Sequence, residues 1–380
     1  MTTVILAADA WLAAPQYAVA ARWHGQHDTA VVLKDATKVL VAGGADAAGV
    51  SVRQSAVFDL TAGTWKATAL LGAARQLHTL TPLPNGKALI TGGRVGPAGA
   101  PLNTAEVFDP EANSWQNVAQ NMADGRWGHS AVPLSNGKVL VAGGIGARPG
   151  GGLMALRSAE VFDPVAGTWT TVEHGMTDAR AGHTAVGLQG GAKVLVCGGS
   201  VPIGAADDAD LAFCELYDTA TAKWQPTGSL RHPRSGHTAT ALSATTVLIA
   251  GGRAPGATAE GFDPFARATA EVYDLAAGAW HDVAAMPAGR AAHRAVAIAE
   301  GKVLVVGGSD HPANETGYRG ALQFSAGAWT PYAGLLEGRW AFSTAASGTK
   351  VLVAGGITRT GLAAAEKPVE LTTSAERSGA

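Results

Sequence analysis

Arginines recur at nearly even intervals along the chain, and a histidine follows five of them three residues later. A ring of guanidinium groups would suit a carboxylate or phosphate ligand, which arginine binds through paired hydrogen bonds. Alternatively, these arginines pair inside the protein with glutamates that recur in the same register, because buried charges are normally paired. The arginines are Arg22, Arg75, Arg126, Arg180, Arg234, Arg290 and Arg339, the histidines are His78, His129, His183, His237 and His293, and the glutamates are Glu106, Glu160, Glu215 and Glu271.

Aromatic residues follow only some of these arginines. Trp23, Trp127 and Trp340 each come directly after one of them, and Phe342 takes the histidine position after Arg339. Aromatic side chains beside a few convergent polar groups are typical of a ligand pocket. The alternative is that they fill space beneath surface loops. The seven arginines and these four aromatic residues are the candidate ligand-binding residues.

Titratable residues suited to acid–base chemistry lie in two irregular segments. His24 belongs to an apparent two-residue insertion, His24-Gly25, and His27 follows it, whereas His311, Glu315 and Tyr318 lie in a loop of the sixth repeat. A histidine near a carboxylate acts as a general base close to neutral pH. These five residues are the catalytic candidates if the protein is an enzyme. The insertion is equally explained as a bulge that redirects a strand.

Glycine pairs and tryptophans identify the elements that position these side chains. An aliphatic run ends in a glycine pair seven times, and seven tryptophans keep step with the pairs. A long, regular period of strand-like units indicates a repeat fold. The pairs begin at Gly43, Gly92, Gly143, Gly198, Gly251, Gly307 and Gly355, and the tryptophans are Trp11, Trp65, Trp115, Trp169, Trp224, Trp280 and Trp329.

The repeat from residue 126 to residue 169 shows the secondary structure of one unit. Apolar runs on both sides of Asn136-Gly137 predict a hairpin in which both of these residues have positive φ. The segment SAEVFDP predicts a third strand, and a fourth begins at Trp169. Four antiparallel strands, radially repeated, form a propeller blade. The arginines would then lie at one mouth of the central channel, and the histidines would be buried hydrogen-bonding residues of the scaffold.

These motifs resemble the kelch repeat, which combines an R-x-x-H start, a double glycine, an E-[VL]-[FY]-D strand and a tryptophan. The resemblance covers nearly the whole chain and implies an all-β, seven-bladed kelch β-propeller of bacterial type, with one domain over residues 1–380. Because Trp11 precedes the first repeat, we expect the N-terminal strand, about residues 3–13, to complete the last blade beside a strand near Pro368 to Thr373. That pairing would hide two open sheet edges.

Composition argues against several classes of protein. A net charge of −2 with 15% charged residues disfavours nucleic acid as a partner. No apolar run approaches the roughly 18 residues of a membrane span, and the N-terminus lacks a basic leader, so we expect a cytoplasmic protein without a membrane partner. We expect Cys197 and Cys214 to face each other as free, buried thiols. We also expect a monomer with no cofactor and no metal.

The expected function is recognition. Kelch domains that capture acidic partner segments imply that the arginine- and tryptophan-rich mouth binds an acidic peptide or protein segment, or an anionic small molecule. The alternative is a metal-independent enzyme of isomerase, lyase or cyclase type that acts on an anionic small molecule in the central pocket. The bacterial sialate mutarotase, also a kelch propeller, shows that the fold is compatible with an isomerase.

Overall fold

The computed structural model describes residues 10–15, 29–202, 208–253, 266–310, 317–359, 370–371 and 375–378. These residues form seven four-stranded antiparallel sheets. The first strand of each sheet contacts the first strands of the two neighbouring sheets, so the seven first strands form a closed ring. The predicted seven-bladed all-β propeller, with four antiparallel strands per blade, is therefore confirmed.

The strands of blades one to four run outward from the ring in chain order. They are Ala30–Val32, Lys38–Ala42, Ser55–Asp59 and Thr64–Ala67 in blade one; Thr79–Pro82, Ala88–Thr91, Ala105–Asp109 and Ser114–Asn117 in blade two; Ser130–Pro133, Val139–Ala142, Ala159–Asp163 and Thr168–Thr171 in blade three; and Thr184–Leu188, Lys193–Cys197, Cys214–Asp218 and Lys223–Thr227 in blade four.

Blades five to seven follow the same order, except that the chain's first strand forms the outer edge of blade seven. They contain Thr238–Ala241, Thr246–Ala250, Ala270–Asp274 and Ala279–Val283 in blade five; Arg294–Ala299, Lys302–Val306, Ala321–Ser325 and Ala328–Tyr332 in blade six; and Ser343–Ser347, Lys350–Ala354, Ala375–Ser378 and Trp11–Ala14 in blade seven.

Three small two-stranded sheets extend the loops that follow the glycine pairs of blades three, four and seven. A single turn of 3-10 helix, Gln189–Gly191, precedes the second strand of blade four. The small sheets pair Ile145–Ala147 with Leu153–Ala155, Ser200–Pro202 with Asp208–Asp210, and Ile357–Arg359 with Glu370–Leu371.

An N-terminal strand closes the ring, as predicted, and residues 3–9 of the predicted range lie outside the described residues. Trp11–Ala14 pairs antiparallel with Ala375–Ser378, which in turn pairs with the second strand of blade seven. The Trp11 side chain is only 4% exposed, and its indole Nε1–H donates to the carbonyl oxygen of Ala333 at 2.8 Å. The first strand and the last strand of the chain therefore complete one sheet.

The predicted strand near residues 368–373 is wrong as the third strand of blade seven. Glu370–Leu371 pairs instead with Ile357–Arg359 in a small sheet. The third strand is Ala375–Ser378, in which Ala375-Glu376 occupies the register of the Ala-Glu pairs in other blades. This strand lacks the usual aromatic residue after the glutamate, so its sequence hides the match.

Local sequence accounts for the blade geometry. The second strand of blade three is almost completely buried, and Phe162 packs against Trp169 with ring centroids 4.9 Å apart.

In the predicted hairpin turn Gly137 has φ of 80°, but Asn136 does not have positive φ, so that detail of the prediction is wrong. The hydrogen bond from Leu134 N–H to the Lys138 carbonyl closes a longer loop that needs only one left-handed residue.

The two cysteines lie opposite each other in blade four. Cys197 and Cys214 are directly paired in the register of its second and third strands, and both are buried free thiols. Burial, together with a hydrogen bond to Cys214, raises the pKa of Cys197 well above its ordinary value. This thiol therefore stays protonated at neutral pH and packs as a small apolar residue.

Candidate functional site

The arginine of blade two is enclosed by hydrogen-bond acceptors. The guanidinium Nη1 of Arg75 donates to the carbonyl oxygens of Gly92 at 2.9 Å and Thr104 at 3.1 Å. Its Nη2 donates to Glu106 Oε1 at 2.9 Å. The other oxygen of Glu106 accepts the backbone N–H of Gly72 at 2.7 Å. The pair therefore ties the loop before the first strand to the third strand of the same blade.

Four other blades repeat this ion pair with fully buried guanidinium groups. Burial lowers the pKa of Arg75, and Glu106 partly offsets that effect, as expected for a desolvated but paired charge. These five arginines thus adopt the internally paired arrangement that was the alternative to a ligand-binding ring. The N–O distances are 2.9 Å for Arg75–Glu106, 3.0 Å for Arg126–Glu160, 3.5 Å for Arg180–Glu215, 2.8 Å for Arg234–Glu271 and 2.7 Å for Arg339–Glu376.

Buried histidines link neighbouring blades around the inner ring. His183 Nε2 lies 2.9 Å from Ser130 Oγ of the preceding blade, and His237 Nε2 lies 2.8 Å from Thr184 Oγ1 in the same way. Burial, and secondarily the charge of Arg180, lowers the pKa of His183 to about 3. At neutral pH this imidazole is therefore uncharged and acts as a hydrogen-bonding link in the scaffold.

The central channel holds a cavity of about 150 Å³. Each blade contributes to it through its first strand, and His129 and His183 border it as well. Burial lowers the pKa of His129 well below its ordinary value, so both imidazoles are neutral. The first-strand residues that line the cavity include Ala30, Thr79, Ser130, Thr184, Thr238, Ala295 and Thr344.

A tryptophan and an arginine stack at one mouth of the channel. The guanidinium carbon of Arg94 lies 4.5 Å from the ring centroid of Trp127, which is half-buried. Trp127 also packs against Ile145 and Ala181. The backbone of Trp127 pairs with that of Ile145, the residue that follows the glycine pair of blade three. The loop before the first strand and the loop after the glycine pair therefore lie on the same face.

The glycine pair is what allows these two loops to approach so closely. Gly144 has φ of 97°, a conformation that disfavours other residues. A β-carbon there would lie 2.7 Å from the carbonyl oxygen of Trp127 and 2.9 Å from His129 Cβ. The repeated glycines are therefore required by the geometry of the channel mouth.

The two aromatic ligand-binding candidates of blade seven, Trp340 and Phe342, lie in different environments. Trp340 is half-buried at the mouth, where its backbone pairs with that of Ile357. Phe342 is 0% exposed and packs in the core with Trp11 and Leu335. Arg294 lies over the Phe342 ring and donates from Nε to the Phe342 carbonyl oxygen at 2.7 Å. Trp340 thus lies at the surface, whereas Phe342 helps to fill the interior.

Two arginines that directly follow glycine pairs at the mouth are missing from the sequence-based candidates. Arg94 and Arg253 directly follow the glycine pairs of blades two and five, and their backbones pair with those of Gln76 and Ser235. Arg253 is exposed and Arg94 is half-buried. Aligning the repeats on the glycine pairs would have identified this position, because the other blades carry smaller or apolar residues there.

Tyr318 is the one catalytic candidate among the described residues. Its ring lies 5.3 Å from the guanidinium carbon of Arg290, and its hydroxyl is hydrogen-bonded to Asp310. Burial, and secondarily Asp310, raises the pKa of Tyr318. The phenol is therefore protonated at neutral pH. Arg22, Trp23, His24, His27, His311 and Glu315 lie outside the described residues.

Two further observations concern metals and membranes. Among the described residues, no group of three His, Cys, Asp or Glu side chains is arranged to hold a metal ion. In the same parts of the chain, no helix has the length and hydropathy needed to cross a bilayer.

Comparison with known proteins identifies kelch-type relatives. The family model described as Attractin/LZTR1 beta-propeller matches residues 39–313. Kelch repeat-containing protein kel-10 of Caenorhabditis elegans is 33% identical over 156 residues, covering 40% of this chain and 25% of that protein. The tRNA wybutosine-synthesizing protein 4 of Saccharomyces cerevisiae is 25% identical over 245 residues, covering 62% of this chain and 34% of that protein. The chain thus spans a quarter to a third of the length of these relatives.

Solved structures share the fold. A fungal alcohol oxidase of the AA5 family, in complex with copper, superimposes with a TM-score of 0.70 and 19% identity, covering 98% of this chain and 76% of that one. The structure of YjhT gives a TM-score of 0.59 and 17% identity, covering 80% of this chain and 94% of that one. At such identities the similarity shows the fold alone.

Proposed function

The chain belongs to the Attractin/LZTR1 β-propeller family, and from that premise we propose that it is a recognition propeller that binds an acidic protein segment at its channel mouth. Kelch-repeat relatives support a role as an interaction scaffold. The propeller fold hosts unrelated activities, however, so the function has to be argued from the surface itself.

The surface that supports this proposal is a patch formed by loops of blades two and three. We call Arg94, Val95, Trp127, Arg148 and Leu153 the mouth patch. Arg148 is exposed, and Val95 and Leu153 are 48% and 47% exposed. Leu153 begins the returning strand of the small sheet that follows the glycine pair of blade three. Two guanidinium groups beside exposed apolar side chains suit a segment that carries both carboxylates and apolar residues.

The stack of Arg94 on Trp127 is the observation that carries the proposal. At 4.5 Å from the ring centroid, the guanidinium gains a cation–π interaction that restrains its position over the ring. Arginine held in this way loses less conformational entropy when it forms a paired hydrogen bond with a carboxylate. The stack is therefore preorganised for an acidic side chain.

The size of the central cavity favours a protein segment over a small molecule inside the channel. Drug-sized ligands occupy pockets of roughly 300–1,000 Å³. The channel cavity, at about 150 Å³, is smaller than that range and is bordered by neutral imidazoles, hydroxyls and methyl groups. An extended segment lying across the loops of the mouth does not need a deep cavity.

Binding of short fluorescent acidic peptides, measured by fluorescence anisotropy, tests the proposal. We expect Arg94→Ala and Trp127→Ala each to weaken binding about tenfold, a loss of about 1.4 kcal/mol. Lys34→Ala is the matched control, because Lys34 is an exposed cation in the turn between the first two strands, at the opposite end of blade one. Peptides in which Gln replaces Glu should bind weakly to the unaltered protein. Equal binding by all three variants would refute the proposal.

A further inference from the structure

Blade six departs from the arginine–glutamate pairing of blades two to five and seven. Blade one also lacks the glutamate, since Ala56 stands at that position, and its Arg22 lies outside the described residues. Leu322 stands in its third strand at the position of Glu106 in blade two, and Gly320 stands at the position of Thr104. The Nη1 of Arg290 still donates to the carbonyl oxygens of Gly307 and Gly320, both at 3.0 Å. Within the described residues, its Nη2 has neither the carboxylate nor the hydroxyl acceptor that Arg75 has in blade two.

This guanidinium is nevertheless buried and charged. Arg290 is 5% exposed, and burial lowers its pKa to about 10, which leaves it protonated at neutral pH. An unpaired buried charge is costly, and proteins normally neutralise it with a partner. The Tyr318 ring at 5.3 Å offsets part of this cost through a cation–π interaction. Within the described parts of the chain, no carboxylate takes the electrostatic role that Glu106 has in blade two.

The loop before blade six also lacks one of the backbone donors that bind the carboxylate in the paired blades. In the other paired blades, the residue after a buried Leu or Met donates its backbone N–H to the glutamate, as Gly72 and Ala123 do. In blade six that residue is Pro287, which has no N–H. One of the backbone donors that faces the glutamate in the paired blades is therefore absent from blade six, and Arg290 remains the cationic group of the site.

An opening leads from solvent to the free edge of this guanidinium. Gly320 is exposed, and a β-carbon added to it would have one neighbour within 4 Å, Arg290 Nη2 at 4.0 Å. The equivalent ion pair in blade two borders a surface groove of about 330 Å³ formed with the outer strands. The site on blade six is thus on the flank of the blade, whereas the mouth patch lies on loops beside the channel.

The geometry points to a carboxylate-binding site in which a ligand lies over Gly320, where blade two has the Thr104 hydroxyl, and accepts a hydrogen bond from Arg290 Nη2. One guanidinium, with its Nη1 already bonded to carbonyl groups, matches a monoanion better than a phosphate dianion. Leu322 and Pro331, which are paired in adjacent strands, provide an apolar border. The ligand class is therefore an aliphatic monocarboxylate. This site goes beyond the proposed recognition function and does not depend on it.

Fluorine NMR with 4,4,4-trifluorobutyrate as the probe tests this inference on the full chain. We expect saturable binding that weakens at least tenfold in Leu322→Glu, which supplies the internal carboxylate while retaining Arg290. Leu336→Glu is the matched control, because Leu336 is 51% exposed on the loop before blade seven and the charge change is the same. Gly320→Thr provides a second test if Leu322→Glu does not fold, since it restores the hydroxyl and closes the opening.

Competition identifies the source of the carboxylate. Displacement by butyrate would favour a free aliphatic acid, and stronger displacement by N-acetylglutamate amide would favour an acidic side chain. Either result supports the site. Equal binding to the unaltered protein and Leu322→Glu, equal weakening by Leu336→Glu, or displacement by inorganic phosphate at lower concentration than butyrate would overturn it. Peptide binding at the mouth patch should be unchanged in Leu322→Glu, so the two proposals fail separately.

Discussion

Replacing Glu106 with leucine would give blade two the pairing defect that blade six has naturally. The substitution removes the carboxylate that accepts hydrogen bonds from Arg75 Nη2 at 2.9 Å and from the backbone N–H groups of Gly72 and Ala73 at 2.7 and 3.2 Å. The Arg75 side chain is 0% exposed. Leucine fills a similar volume, so the lost interactions dominate the expected change in stability.

The expected loss follows from the cost of leaving a buried charge without its partner. Removing one member of a buried ion pair costs about 3–5 kcal/mol, so the free energy of unfolding should fall by that amount in Glu106→Leu. Glu160→Leu should cost less, because Asp124 lies 3.6 Å from Arg126 and partly replaces the lost carboxylate. The structure thus predicts an order of losses among the blades as well as a magnitude.

Urea denaturation followed by tryptophan fluorescence measures these differences. Glu173→Leu is the control, because Glu173 is exposed and its replacement should change the free energy of unfolding by no more than about 0.5 kcal/mol. A loss below about 1 kcal/mol in Glu106→Leu, the level of an exposed ion pair, would refute the assignment of these pairs as buried scaffold interactions. Equal losses in Glu106→Leu and Glu160→Leu would refute the role given to Asp124.

Three further substitutions test the closing strand of the propeller, the protonation of His183 and the pairing of Arg290 in blade six. Trp11→Ala should lower the free energy of unfolding by about 3–5 kcal/mol in urea, because it empties a buried position in the closing strand. The pKa of His183 is depressed to about 3, so its stabilising contribution is complete above pH 6.5 and falls by about 1.4 kcal/mol per pH unit toward pH 3. Between pH 7 and pH 4, the free energy of unfolding should therefore change less steeply with pH in His183→Gln than in His174→Gln. The second variant is the control, because it alters an exposed histidine. Leu322→Glu should raise the urea midpoint by pairing Arg290, and a lower midpoint would contradict that pairing.

The fold could be predicted because the same local constraints recur in every blade. Gly144 shows why the glycine pairs are so regular, since a side chain there would collide with the backbone of Trp127. The prediction failed where one blade lacked part of the motif. Glu376 has no aromatic partner two residues later, so the third strand of blade seven was placed too early in the sequence.

The candidate site was harder to predict, because a repeated residue type does not reveal whether its charge is neutralised. Arg75 and Arg290 share one position in the repeat, yet Glu106 lies beside the first and Leu322 occupies the equivalent position beside the second. Their difference depends on a residue about thirty positions away, which only strand register brings close. Arg94 was missed for the same reason, since its stacking partner Trp127 belongs to the next blade.

Blade six lacks the glutamate and one of its backbone donors but keeps the arginine. Random divergence of the repeat does not explain this combination. Loss of the carboxylate alone would leave the guanidinium and two backbone N–H groups without the acceptor that they have in blade two. Proline at position 287 removes one of these N–H groups, and leucine at position 322 packs without needing a donor. If no ligand used Arg290, a neutral residue at that position would complete the replacement and remove the cost of burying the charge. The arginine is instead retained beneath an exposed glycine, with Tyr318 over its face. Retaining the charge while removing its internal partners is consistent with an external carboxylate as its ligand.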